Sequence, residues 1–268
     1  MANKPNKCFS WIANLSALLV VLIFSACEKV IDLKLDNVEP VIVIEGNIND
    51  RLETQFISIS RTYNFEDRDR FNAVSGASVS VTTASGQKIN FTETRPGVYS
   101  AAFRGSSDRQ YVLNVVVNGK TYTATSTMPK KVELTGISFR TFAFFGNSET
   151  FVAVKYNDPP GIQNQYRYII KVNDTVKSVS VGEDRFDDGN SVVNTLFADL
   201  DDFKSGDRIE VEMQTIDRKV FRYYYTIEQA AGGGGPPVAP SNPDSNFNNG
   251  ALGYFSAHTS SILSTVYQ

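Results

Sequence analysis

One histidine, His258, and two cysteines, Cys8 and Cys27, are all the chain offers for thiol or imidazole chemistry. Zinc sites of the common kinds need three or four such ligands together, so none is assigned. Residue 258 falls in a strand-like stretch, which points to a structural or surface role for the ring. The Gly-x-Ser-x-Gly turn that exposes a nucleophilic serine is missing, and His258 has no recognisable serine or cysteine partner in sequence. The run "GGGG" lacks the lysine and the strand-to-helix setting of a phosphate-binding loop. Oxygen ligands are better supplied. "GEDRFDDGN" (182–190) and "DLDD" (199–202) are the kind of loop carboxylate cluster that Ca²⁺ takes, but their spacing misses the EF-hand pattern. Solvated loop charge is the commoner origin of such runs, so the sequence nominates no catalytic residue, no metal ligand and no cofactor. A glycosidase needs only two carboxylates, which carry no sequence mark. Aromatic residues complete the inventory. Tyr223, Tyr224 and Tyr225 sit in a helical pattern, while Phe142, Phe144 and Phe145 run into the turn signal Gly146-Asn147. Either these phenylalanines feed a core from a strand or they expose an aromatic tip. Phe144 and Phe145 are the candidates for a partner contact, because aromatic side chains are enriched at interface cores.

The second cysteine has a marked context. Lys4 and Lys7 are the only charges before Ala26, and Ala17 to Phe24 is an unbroken apolar run. That run is too short for a membrane span, which needs about 20 residues. A basic start, a short apolar centre and small residues at the end have the form of a secretory signal, residues 1–26. Phe24-Ser25-Ala26-Cys27 resembles the lipobox of bacterial lipoproteins, with Phe24 where leucine is usual. Cleavage there would remove Cys8, and acylation would use Cys27, leaving neither a free thiol nor a disulfide. The remaining chain has 24 basic and 29 acidic residues, a formal charge of −5, which is no nucleic-acid footprint. Its fold must then be held by core burial alone.

The elements that would carry these residues read as β almost throughout. After a tether at 27–39, "VIVIEGNI" and "QFISISR" are β-branched runs around a turn. "ASVSVTT" and "QKINFTE" alternate with period two about "ASG", and "PGVYSAAF" follows a proline turn. Asn118-Gly119 splits "YVLNVVV" from "KTYTATST", a hairpin signal in which both turn residues tolerate positive φ. Residues 40–128 therefore predict an immunoglobulin- or transthyretin-like sandwich of about seven strands. "MPKK" marks a boundary, and 129–268 predicts a second β-rich domain. Its strands are "VELTGISFRTFAFF", "TFVAVKYND", "QYRYIIKV", "TVKSVSV" and "DRIEVEMQTID", and the tail "ALGYFSAHTSSILSTVYQ" predicts one or two more. One helix is expected at 219–232, with Val220, Tyr224, Ile227 and Ala231 on one face and Gly232 as C-cap. The stretch 232–250, rich in Gly, Pro and Asn, reads as a flexible loop. The fold class is all-β, with two consecutive β-sandwich-like domains.

Taken in order, "SACEKVIDL", "VIEGNI", "VSGASVSVT", "PGVYS", "YVLNVVVNGKTYTATSTMP", "GDRIEVEMQTID" and "NGALGYFSA" resemble a Bacteroidetes lipoprotein family known as domain of unknown function family 4249. The resemblance implies lipidation at Cys27, attachment to the outer membrane through that lipid, and an accessory role beside a TonB-dependent receptor. It carries over no catalytic residue. Glu28 is followed by Lys29 and Val30, a partial acidic signal for surface export, so either face of the membrane stays open. The expectation is a non-enzymatic accessory or binding protein whose ligand the sequence does not specify. A carboxylate-dependent glycan- or peptide-processing enzyme and a structural or adhesive envelope protein are the alternatives.

Overall fold

The computed structural model describes residues 39–63, 71–144, 146–185, 188–198, 203–231 and 242–268. The period-two stretches become strands. In the first half these are β1 (Ile42–Asn49), β2 (Glu53–Arg61), β3 (Asn72–Ala73), β4 (Ser78–Thr83), β5 (Lys88–Arg95), β6 (Val98–Phe103), β7 (Arg109–Val117) and β8 (Lys120–Met128). The second half contributes β9 (Leu134–Phe144), β10 (Asn147–Asn157), β11 (Gln165–Val172), β12 (Thr175–Glu183), β13 (Ser191–Leu196), β14 (Arg208–Ile216), helix α1 (Arg218–Ala230) and β15 (Leu252–Val266). The molecule is all-β with one helix. β13 was not foreseen, because "SVVNTL" lies between two acidic runs that mask its short alternation.

A long sheet runs in the order β12-β11-β14-β15-β1-β2-β6-β5-β4-β7-β8, with β3 beside β2, and a three-stranded sheet runs β13-β10-β9. β15 joins the two halves. Its first part, Leu252 to His258, pairs parallel with β1, and its second part, Thr259 to Val266, pairs antiparallel with β14. The tail is therefore one 15-residue strand.

Two apolar cores flank it. Ile44, Ile48, Ile57, Ile59, Val81, Leu113, Val115, Met128 and Phe255 belong to the first. The second gathers Val152, Val154, Tyr156, Tyr166, Tyr168, Ile170, Ile209, Val211 and Met213. Met128 belongs to the first and Val132 to the second, but the first core also takes Phe247, Ala251, Phe255 and Ala257 from the far end of the chain.

Asp217 caps α1 by accepting from the Lys219 and Val220 amides, at 2.9 and 3.0 Å. The expected stripe of the helix is corrected. Ile227 is exposed, and Val220 and Phe221 are the buried pair. Tyr224 lies 4.2 Å from the Arg167 guanidinium and packs on Tyr254, and Glu228 accepts the Val181 amide at 2.7 Å. The helix has rotated to serve polar partners on β11 and β12, which a purely apolar stripe cannot anticipate. It ends one residue before its Ala231 cap; Gly232 lies outside the described residues.

Candidate functional site

Strand ends, not strand middles, bring three carboxylates together. Asp158 follows β10 directly, Asp184 follows β12 directly, and Asp188 stands three residues before β13. β10 and β13 pair in the small sheet, while β12 pairs with β11 at the edge of the large one. The carboxylates of all three lie within 4.8 Å of one another. Asp158 and Asp184 are only 3% and 5% exposed; Asp188 is exposed. The Tyr166 hydroxyl donates to Asp158 Oδ1, and the Gly161 amide donates to Asp188 Oδ1 at 2.7 Å. Asp184 differs. Neither carboxylate oxygen has a hydrogen-bond partner, although both are sealed from solvent. Its amide donates to the Asn164 carbonyl at 3.2 Å, and Asn164 Oδ1 is likewise buried without a partner. Burial pushes the Asp158 carboxyl above the ordinary carboxylate range; the Tyr166 hydroxyl opposes this and the neighbouring Asp184 carboxyl adds to it. Burial and the adjoining Asp158 raise the Tyr166 phenol in turn. Such an arrangement offers hard oxygen donors and nothing else.

A second polar group lies along β15. Ser256, His258 and Ser260 share one face by their spacing of two. His258, 2% exposed, keeps Nδ1 at 3.1 Å from Ser256 Oγ. On β14, Glu212 accepts from Ser260 Oγ and, at 2.9 Å, from Gln214 Nε2. Gln214 accepts from Arg167 Nη1 at 3.1 Å. Burial drives the His258 pKa down to about 4, against the pull of Glu212. Burial works against the Glu212 charge too, but the Ser260 and Gln214 hydrogen bonds outweigh it and hold the carboxyl below its usual range. At neutral pH the ring is uncharged and the carboxylate ionised. A serine, a histidine and a carboxylate thus meet, but Ser256 and His258 are both enclosed, so this group ties β15 to its neighbours. Sequence reading placed His258 in a strand correctly; its serine partner two residues away was missed.

The other sequence candidates have these places. Cys27 lies outside the described residues, as do Phe145 and 199–202. Phe144 ends β9 opposite Asn147, which opens β10, so Asn147, expected in the turn, is a strand residue. Phe142 packs 6.0 Å from Phe151 and 5.7 Å from the exposed Phe197. Of the acidic run 182–190, Asp184 and Asp188 enter the carboxylate group. Asp158 and Asn164, from "NDPPGIQN", were not anticipated, since an Asp-Pro-Pro-Gly stretch reads only as a turn. Of the 232–250 loop, the described part holds Asn246, whose side chain bonds the backbone of Phe255 in both directions. No helix among the described residues is long and apolar enough to cross a membrane.

A family model described as "Domain of unknown function (DUF4249)" matches residues 28–262. No curated protein matches the chain. Among solved structures, a two-domain fibronectin type III segment from chicken tenascin aligns over 85% of this chain and 100% of its own. At 13% identity and a TM-score of 0.23, that likeness carries no argument.

Proposed function

The chain belongs to the DUF4249 family, and from that premise we propose that it is a lipid-anchored, non-enzymatic accessory or binding protein of the bacterial outer membrane, working beside a TonB-dependent transporter. The observation that carries this reading is a junction. A leader of signal-peptide form ends at Ala26, Cys27 follows, and the family match begins at residue 28. A lipobox cysteine would sit at just such a join between discarded leader and retained body. One acyl chain gives only marginal, reversible membrane binding, and stable anchoring takes two signals; a triacylated cysteine would hold the body at the membrane permanently. Contact with the transporter would then fall to loops and hairpin tips, because sandwich cores are filled from both sheets. The β9–β10 tip with Phe144 and Phe145 is the candidate anchor.

Two experiments test this. Mass spectrometry of the membrane-derived N-terminus should find acylated Cys27, and Cys27→Ser should release the protein or leave it uncleaved; an unmodified Cys27 would sink the anchor. Affinity purification from native membranes should bring down a TonB-dependent receptor. Phe144→Ser/Phe145→Ser should lose that receptor while melting as the parent does. Undiminished co-purification would remove the tip from the interface.

A further inference from the structure

We propose that Asp158, Asp184 and Asp188, with Asn164 beside them, form a Ca²⁺ site that clamps the end of the small sheet to the edge of the large one. Three carboxylates drawn within 4.8 Å of one another repel, and two of them have given up their hydration. Among the described residues no lysine or arginine bridges to any of the three. The uncompensated member is Asp184, with both oxygens enclosed and unpartnered. A buried carboxylate left so is strongly unfavourable unless a positive partner balances it. Asn164 Oδ1 is a second enclosed acceptor without a donor, in a residue 4% exposed. Every unsatisfied side-chain atom here is an oxygen acceptor, so the missing partner is a donor or a cation.

Ca²⁺ suits the donor set. It takes six to eight oxygens at about 2.3–2.6 Å, so ligands on opposite sides of the ion stand about 4.6–5.2 Å apart, a span that contains this cluster. Mg²⁺ at about 2.0–2.1 Å requires a tighter and nearly octahedral set. With neither thiolate nor imidazole in the group, soft metals are disfavoured. The Tyr166 hydroxyl on Asp158 and the Gly161 amide on Asp188 would orient two ligands from outside, as such supporting bonds do. Asp188, being exposed, leaves one side open for water ligands. The ligands come from the β10–β11 and β12–β13 connections, so binding would couple the two sheets. The proposal stands independently of the lipid anchor.

The test uses full-length protein purified in detergent and stripped with EGTA. Titration with CaCl2 should give saturable heat with Kd at or below about 1 mM, in the range of extracellular Ca²⁺ modules, and should raise the melting temperature; equal MgCl2 should do much less. Tb³⁺ should show tyrosine-sensitised emission through Tyr166, which Ca²⁺ displaces. Asp188→Asn alters an exposed group and should fold normally while weakening Ca²⁺ binding about tenfold or more. Asp184→Asn should abolish the Ca²⁺ response. No saturable binding by the parent protein up to about 10 mM Ca²⁺ would overturn the site, as would binding undiminished in Asp188→Asn. So would stabilisation by mild acid alone with no Ca²⁺ response, since a proton shared between Asp158 and Asp184 would then be the partner.

Discussion

At the residue scale, His258 has the clearest consequence. Its ring binds a proton near pH 6.5 in an unfolded chain but only near pH 4 when folded. Between those values the unfolded state carries more protons, so stability is complete above pH 6.5 and falls as the pH drops towards 4. The full effect is up to about 3 kcal/mol for a shift of this size. Asparagine at 258 cannot titrate and can still meet Ser256. We expect His258→Asn to lose part of the fall in stability between pH 7 and pH 5, whatever its cost at pH 7. Urea titrations at the two pH values check this; an unchanged difference would place the acid sensitivity elsewhere. Asp217 acts at the same scale, capping α1 with one oxygen and accepting from Ser126 with the other. Loss of a cap costs about 0.5–2 kcal/mol, and Asp217→Ala should fall at the upper end because Ser126 loses its acceptor too. Denaturant midpoints read this directly.

Among the elements, two glycines carry opposite risks. Asn118 and Gly119 have φ of 49° and 77° and join β7 to β8 with Val117 opposite Lys120, the expected type I′ turn. A Cβ at 119 would meet nothing within 4 Å, so the penalty on Gly119→Val comes from backbone conformation, about 1 kcal/mol or more. Gly253 stands at φ 93° where β15 enters its parallel pairing with Ile44, and a Cβ there would lie 2.1 Å from the Ile44 carbonyl oxygen. Backbone cannot give way as a side-chain tip does, so Gly253→Ala should be the more damaging despite adding only a methyl. Thermal melts of both variants rank them. A milder effect at 253 would mean that the β1–β15 pairing is misassigned.

For the whole molecule, β15 links the two cores, because one half of it pairs with β1 beside the first core and the other half with β14 in the second. Leu113 in the first core and Ile170 in the second are both enclosed, and truncating either to alanine should cost about 2–5 kcal/mol. We expect calorimetry to show a single transition that either substitution moves as a whole. Two transitions, with each variant shifting only one, would show that the halves unfold separately.

What the amino-acid order determined by itself is local. Period-two alternation, the Asn118-Gly119 turn and the presence of one helix each depend on neighbours a few residues apart, so strands and turns were legible. Tertiary structure alone decided what depends on distant pairing. Nothing in "ALGYFSAHTSSILSTVYQ" says that one strand lies against Ile42–Asn49 on one stretch and Arg208–Ile216 on the next. Nothing in "NDPPGIQN" says that Asp158 meets Asp184, because that meeting requires β10 and β12 to end at the same place on two different sheets. The helix face turned for the same reason: Arg167 and Val181, which set its rotation, stand some fifty residues earlier in the chain. Local propensity chooses the element, but the burial of polar partners brought from afar chooses its neighbours.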